Sequence, residues 1–399
     1  MLKKQNIIIA SLGTSAVALL FFIFFSPVWW VSLTAPQYPE VAFPDGIKIN
    51  FHVNGVFNGC TKVKSAELTE DEALNCKHEM DAINHYVGMY PIAAGAPVER
   101  AMSPFIFALL AVMIIGFIMT DKKYRTIWLG STGSLIILWA TMVLFTEGGA
   151  EMQSSPYLND VQTTMDLDDN EVHHLTGLEV IQRSYAESLA RYFPTVEVKC
   201  EKYEPLMKYL KLYSSQNKEF LSLNDVLSAN GVDNPALMGV FSKTYKKFKN
   251  KDNITTDVIQ KDFMQACDKF AHTDSIPDVK RVEIIKNATI VVFAGLVFAI
   301  LLLVIGGLKY KQIYWLLIIV PMMLPVFFVA DYAGWLYWFG HNLSEFGAFT
   351  VKPFMPTVFG VGKVAQFATY SYPDYGFGLI MLVAVLTALM ALLRYKENH

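Results

Sequence analysis

Residues 288–308 read ATIVVFAGLVFAILLLVIGGL, an apolar stretch without a charged side chain. As a helix, a stretch of this length spans the roughly 30 Å of hydrocarbon in a bilayer. Similar stretches recur in the 399 residues, of which 53% are hydrophobic and 17% charged. The predicted spans are residues 7–31, 103–120, 127–145, 288–308, 313–339 and 375–393. The chain is therefore predicted to be mainly α, a six-span helical integral membrane protein with both termini on one side.

The short connections between the predicted spans are basic. Their lysines and arginines fall on one predicted face: Lys3, Lys4, Lys122, Lys123, Arg125, Lys309, Lys311, Arg394 and Lys396. Because short cytoplasmic loops carry an excess of positive side chains, both termini are predicted to be cytoplasmic. The first apolar run is long for a signal sequence, and no small-residue cleavage site follows closely. We therefore expect an uncleaved anchor rather than a cleaved signal.

This orientation divides the chain into spans and two larger extracytoplasmic segments, the first α+β and the second helical. The predicted parts are a first transmembrane span (1–32), an extracytoplasmic segment with a His/Met/Cys motif (33–102), a transmembrane hairpin (103–145), an extracytoplasmic helical domain (146–287), a second hairpin (288–339), an extracytoplasmic loop (340–374), and the last span with a cytoplasmic tail (375–399).

Several aromatic, proline and acidic side chains lie near the predicted outer interface of the membrane. Trp29 and Trp30 would end the first span in an aromatic belt. Pro321 and Pro325 would kink the fifth span, because each removes a backbone donor. Asp331 lies near the outer end of that span. It is either an interfacial residue paired with a lysine, which we favour, or part of a polar path.

The first outer segment contains one strand signal and one helix signal. Apolar and polar residues alternate over 47–53 and a turn follows at Asn54-Gly55, which predicts a half-buried strand. A helix over 70–87 is predicted, capped by Thr69 and ended by Gly88. The frequent proline and glycine of 340–374 predict a compact loop.

The second outer segment carries helical patterns. The predicted helices are 175–191, 204–213, 223–229, 235–249 and 256–270. Its middle, 199–251, is rich in lysine. Such a surface is more often a solvated face than a docking patch for an acidic partner, so we expect the former.

Each large outer segment contains two of the four cysteines. An even count on the oxidising side of a membrane predicts two disulfides, Cys60–Cys76 and Cys200–Cys267. A disulfide at Cys76 would remove that thiolate from any metal site.

Residues 76–89 read CKHEMDAINHYVGM, a concentration of metal-ligand side chains beside the membrane. Imidazole and thioether suit copper, so a copper-binding or copper-relay surface is one interpretation. Its candidate ligands are His78, Met80, His85 and Met89, joined by His52 and His341 from other segments. The other interpretation is that these residues serve packing, hydrogen bonding or a partner interface. About 10 Å of helix rise separates His78 from His85, which favours two weak sites over one closed cage.

No motif for nucleotide binding, nicotinamide binding, zinc proteolysis, serine hydrolysis or haem attachment occurs in the chain. We therefore expect a protein that is not an enzyme, and we expect no nucleic-acid partner.

Residues 76–92, continued by 95–100, resemble a segment of the NosB-like membrane accessory proteins of bacterial nitrous-oxide respiration. Residues 352–356 and 364–367 form a second block of resemblance, and 150–285 lies outside it. The resemblance implies a bacterial inner (cytoplasmic) membrane protein whose outer face supports a periplasmic copper oxidoreductase. That support would be cofactor maturation, copper handling or electron delivery. The implied partners are membrane lipid and a periplasmic or membrane redox protein, and the resemblance assigns no catalytic residue.

Two other functions remain open. A membrane transporter or channel for a small solute or metal ion would need polar groups deep in several spans, and the predicted spans hold few. A quinol-oxidising subunit would need carboxylates and aromatic residues at the membrane surface, which Asp331, Trp335 and Tyr337 provide. It would also need a redox cofactor, and no histidine lies within a predicted span to bind haem.

Overall fold

The structure is a computed structural model. It describes residues 2–61, 74–90, 96–152, 174–192, 200–216, 220–232, 235–249, 251, 254–271, 276–344, 351–364 and 366–398. The described helices are α1 (Leu2–Phe24), α2 (Cys76–Tyr86), α3 (Pro97–Ile118), α4 (Lys122–Phe145), α5 (Gly177–Tyr192), α6 (Met207–Ser215), α7 (Phe220–Ala229), α8 (Pro235–Phe248), α9 (Thr256–Ala271), α10 (Ile276–Leu301), α11 (Gln312–Met322), α12 (Leu324–His341) and α13 (Tyr375–Asn398). The described strands are β1 (Trp29–Thr34), β2 (Ile47–His52), β3 (Gly55–Asn58), β4 (Gly360–Val364) and β5 (Phe367–Pro373).

Five of the described helices are long and apolar enough to cross a membrane: α1, α3, α4, α10 with its extension to Lys309, and α13. Helices α11 and α12 qualify only as a pair, and they meet at 58°. The bend falls at Met323, between Pro321 and Pro325. Several helices are therefore long and apolar enough for a multi-pass membrane protein, and the predicted kink at these prolines is confirmed. The number of spans is six if the bent pair crosses the membrane as one element.

The first and last helices run antiparallel. At one end Arg394 donates to Asn6 Oδ1 over 2.8 Å, and at the other the Gly376 N–H donates to the Pro27 carbonyl over 3.0 Å. Lys122 of the α3–α4 connection donates to the Leu308 carbonyl over 2.6 Å. Arg394 also donates to the Ile118 carbonyl. Both chain ends and the basic connections therefore gather at one end of the helices.

A five-stranded antiparallel sheet of order β3-β2-β1-β5-β4 lies at the opposite end. The predicted strand and turn at 47–55 are confirmed by β2 and β3.

Two expectations were wrong. Trp29 and Trp30 belong to β1 instead of ending the first span, because Pro27 stops α1 and the chain then pairs on both edges. The predicted loop 340–374 contains the β4–β5 hairpin, which pairs with β1 across most of the chain.

Ser371 of β5 connects the sheet to the membrane helices. Its fully buried hydroxyl donates to the Val358 carbonyl over 2.7 Å. Trp29 Nε1 donates to the same oxygen over 2.9 Å, and the Tyr332 hydroxyl of α12 lies 3.0 Å away. A serine hydroxyl has one proton and two lone pairs, so Tyr332 is the donor in the last contact. The ring of Trp29 also packs edge to face on Phe377 of α13 at 5.5 Å.

The second outer segment contains a separate apolar core. It is formed by α6 to α9 and the short helical turn Cys200–Leu206, with Phe241 and Phe263 fully buried at its centre. Helix α5 instead packs against α10 and joins the main core. The predicted helices are present, although the predicted 204–213 helix begins as that short turn. Lys208 and Lys211 are exposed, as a solvated face requires.

Both predicted disulfides are present. Cys60–Cys76 fixes α2 to the end of β3, with Cα atoms 5.9 Å apart. Cys200–Cys267 closes the core of the second outer segment, with Cα atoms 5.8 Å apart.

Replacing Ser371 with alanine is expected to lower the stability of the protein in detergent by about 1–3 kcal/mol. The change leaves the Trp29 and Tyr332 donors and the Val358 carbonyl without their buried partner. Ser103→Ala is the matched control, because Ser103 is also buried and its hydroxyl makes no hydrogen bond to the described residues. Thermal unfolding followed by near-ultraviolet circular dichroism measures the difference. Equal melting temperatures for the two variants would contradict this role for Ser371.

Candidate functional site

Helix α2 carries most of the sequence-predicted metal ligands, and its ends are well defined. It begins at Cys76, and the Asn75 side chain caps it by accepting from the His78 N–H over 3.2 Å. The predicted start at Thr69 lies outside the described residues, so Asn75 is the cap in the structure. The helix ends at Tyr86, and Gly88, the predicted stop, follows its C-cap Val87. Gly88 has a left-handed φ of 78°, and its N–H donates to the His85 carbonyl over 2.9 Å.

The two methionines of the motif lie in the protein core. Met80 shares the buried face of α2 with Cys76 and Ile83, and this face packs against β2. Met80 and Met89 are each only 3% exposed. Apolar packing in the main core accounts for both side chains, which is the alternative the sequence left open.

The four candidate histidines lie in different surroundings. His78 is exposed, and His85, two turns further along α2, is half-buried. His52 lies in β2 with its ring 4.5 Å from that of Phe57. His341 ends α12, where its ring stacks on Tyr337 at 3.8 Å.

Burial sets the protonation of two of these rings. It lowers the pKa of His85, and it lowers the pKa of His52 to about 4 although Asp374 acts in the opposite direction. Both rings are therefore in the neutral form that binds metals near pH 7. Within the described ranges, however, no three His, Cys, Asp or Glu side chains lie close enough together to hold a metal ion. The copper site stays a prediction.

The structure contains a cavity that the sequence did not reveal. It measures about 490 Å³ and lies where the β2–β3 hairpin meets α3, α11 and α12. Its walls are mostly apolar, with Met102 and Ile106 from α3, Phe327 and Leu336 from α12, and Val56 from the hairpin. His52 is a polar group on the wall that the sheet provides.

Two carboxyl groups meet in this cavity. Glu99, in the first turn of α3, and Asp331 of α12 both line it, and the two side chains are within hydrogen-bonding reach of each other. Trp335 Nε1 donates to Glu99 Oε1 over 2.7 Å. Glu99 Oε2 is buried and accepts no hydrogen bond from an N–H or alcohol hydroxyl in the described part of the chain. Asp331, which we expected to pair with a lysine, lies beside a second acid instead.

One signal in the sequence could have indicated this pair. Glu99 and Asp331 each lie near the predicted outer end of an apolar run, where a charged group is costly without a partner. Because the two residues belong to spans far apart in sequence, only the packing of α3 against the bent α11–α12 pair shows that they are neighbours.

Comparison with known proteins gives no relative. No known protein family, curated protein or solved structure matches this chain. The functional argument therefore rests on the chain itself.

The low pKa of His52 predicts that stability depends on pH. The ring is neutral in the folded protein, whereas an unfolded chain takes up a proton below about pH 6.5. The stability that depends on His52 is therefore complete above about pH 6.5 and decreases as the pH falls towards 4, by at most about 3 kcal/mol. Denaturant unfolding at pH 7 and pH 4.5 measures this decrease. His52→Gln, which cannot titrate, should show a smaller decrease, and an equal decrease would contradict the assignment.

Proposed function

We propose that this chain is a non-enzymatic accessory protein of a bacterial inner membrane that supports a periplasmic copper oxidoreductase, as in nitrous-oxide respiration. Its role would be cofactor maturation, copper handling or electron delivery. The observation that supports this most directly is the Cys60–Cys76 disulfide, which fixes the motif helix α2 to the sheet. Disulfides persist in oxidising compartments such as the periplasm, where such an oxidoreductase works.

The proposed orientation places the sheet, α2 and α6 to α9 in the periplasm and both termini in the cytoplasm. The gathering of the basic connections at one end of the helices and of both disulfides beyond the other supports it. The partner surface would then include exposed side chains of α2, His78 and Tyr86 among them.

Copper handling would use the imidazoles more than the thioethers. Burial removes Met80 and Met89 from solvent, so His78 and His85 are the accessible ligand types on α2. His52 and His341 would contribute only from separate elements. Weak, exchangeable binding fits a relay better than it fits storage.

A transporter or channel for a small solute or metal ion is the second candidate. The observation that favours it is the Glu99–Asp331 pair, because paired acids in spans often lie on a transport path. Flux of Cu⁺ or another small ion into proteoliposomes would support this candidate, provided that it is lost in Glu99→Gln. Absence of flux leaves the accessory function.

Deleting the gene in a bacterium that uses nitrous-oxide reductase should reduce nitrous-oxide consumption, while the amount of reductase polypeptide stays unchanged. The reductase should be purified from the deletion strain and its copper content measured. Low copper would identify maturation or copper handling, and normal copper with low activity in cells would identify electron delivery. Normal consumption in the deletion strain would overturn the proposal.

The orientation is testable by labelling single cysteines. The four native cysteines are in disulfides, so a membrane-impermeant maleimide labels only an introduced one. Lys208→Cys should react in intact spheroplasts, and Lys122→Cys should react only after permeabilisation. Reaction of both in intact spheroplasts would contradict the proposed topology.

Copper binding should depend on His85. The purified protein, loaded with Cu²⁺ and desalted, should retain copper that His85→Ala loses at least in part, because one imidazole ligand is gone. His174→Ala is the control, since His174 is an exposed histidine outside α2. Equal, negligible copper in all three proteins would leave α2 as a structural or docking element.

A further inference from the structure

We propose that the cavity between the β2–β3 hairpin and helices α3 and α12 binds a lipid-soluble molecule that carries a hydroxyl group on its head and a long apolar chain. The hydroxyl donates to Glu99 Oε2, and the apolar chain lies along the membrane helices. This binding site is separate from any copper chemistry on α2.

The position of the cavity defines how a ligand would enter. Ile106 and Phe327 line the cavity on two membrane-length elements, and they are 36% and 54% exposed. Side chains exposed on these elements face lipid when the protein is in a membrane. The mouth therefore opens sideways into the outer part of the bilayer, so a membrane-dissolved molecule reaches the cavity without crossing water.

The size and lining of the cavity fit such a molecule. A volume of about 490 Å³ falls within the range of small-molecule sites. Binding sites of this kind are mostly apolar with a few convergent polar groups. Here the polar groups are the Glu99–Asp331 pair and His52, while aromatic and aliphatic side chains form the remaining wall.

The carboxyl pair determines the chemistry of the head group. Two carboxyls can hydrogen bond to each other only when one of them carries a proton. Glu99 Oε1 already accepts from Trp335, and the buried Oε2 accepts from no N–H or alcohol hydroxyl of the described residues, so the proton shared with Asp331 is the only one these residues offer it. A carboxylate oxygen can accept two hydrogen bonds, so an acceptor position of the buried Oε2 stays open for a hydroxyl from a ligand.

Two classes of membrane component share this chemistry, isoprenoid quinols and glycerides with a free hydroxyl. The first test is binding by the full chain in nanodiscs of a saturated phosphatidylcholine. The probes are 2-heptyl-4-hydroxyquinoline N-oxide, a hydroxyl-bearing quinol mimic, and dioleoylglycerol. Trp335 lines the cavity, so quenching of its fluorescence reports the first probe directly, and competition with that probe reports the second.

The expected result is saturable quenching that is absent in Trp335→Phe. Quenching with no competition by dioleoylglycerol identifies a quinol site, and competition identifies a site that also accepts glycerides. Absence of saturable quenching by the quinol mimic would overturn the proposal.

Two variants test the assigned contacts. Glu99→Gln should weaken binding by at least about tenfold, because a hydrogen bond to a charged acceptor is lost. Ile106→Trp should block the mouth and abolish quenching. Val291→Trp is its control, because Val291 is an exposed residue of α10 that does not line the cavity.

Circular dichroism establishes that the variants are folded before binding is measured. Wild-type affinity in Glu99→Gln together with Ile106→Trp would place the probe elsewhere and overturn the assignment. Copper retention by these variants should equal that of the wild type, which distinguishes this site from the proposed function.

Discussion

The pairing of β1 with β5 is the constraint on which the sheet end of the molecule depends. It joins the segment that follows the first membrane helix to the segment that precedes the last one. Five residues of β1 pair with β2 on one edge and all six pair with β5 on the other, so the backbone polar groups of the strand find partners on both sides along most of its length. Ser371 connects the sheet to the helices, because its hydroxyl hydrogen bonds to both Trp29 of β1 and Tyr332 of α12.

The cavity is a consequence of the same arrangement. The sheet forms a wall above α3 and α12, and the bend at Met323 directs α12 away from the line of α11. A straight α11–α12 pair would pack along its neighbours. The bent pair instead leaves a volume that the hairpin covers, and it brings Asp331 beside Glu99. Pro321 and Pro325 flank this bend, so these two prolines account for a cavity large enough for a ligand.

The features that follow from local sequence were predictable, and those that follow from distant contacts were not. The apolar helices, the 47–55 strand and turn, the Gly88 helix end and both disulfides depend on composition, periodicity or cysteine count within one segment. By contrast, nothing near Trp29 indicates that its ring will meet Ser371, 342 residues later. The burial of Met80 and Met89 was not predictable either, because a methionine on or next to a short amphipathic helix suits a metal site and a core alike. The acid pair was missed since each member looks like an ordinary interfacial residue until α3 and α12 are placed together.

The separation between β1 and β5 also affects how the protein is made. Synthesis at roughly 5–20 residues per second means that β1 leaves the ribosome tens of seconds before β5 exists. During that interval β1 can pair with β2 but has an open edge on the other side, and an open edge is a template for incorrect pairing. The burial of Trp29 and the antiparallel contact of the first and last helices are both completed only when the final helix is inserted. The C-terminal segment therefore completes the assembly of the fold. In a chain that stops before residue 367, the N-terminal strand β1 would keep one unpaired edge.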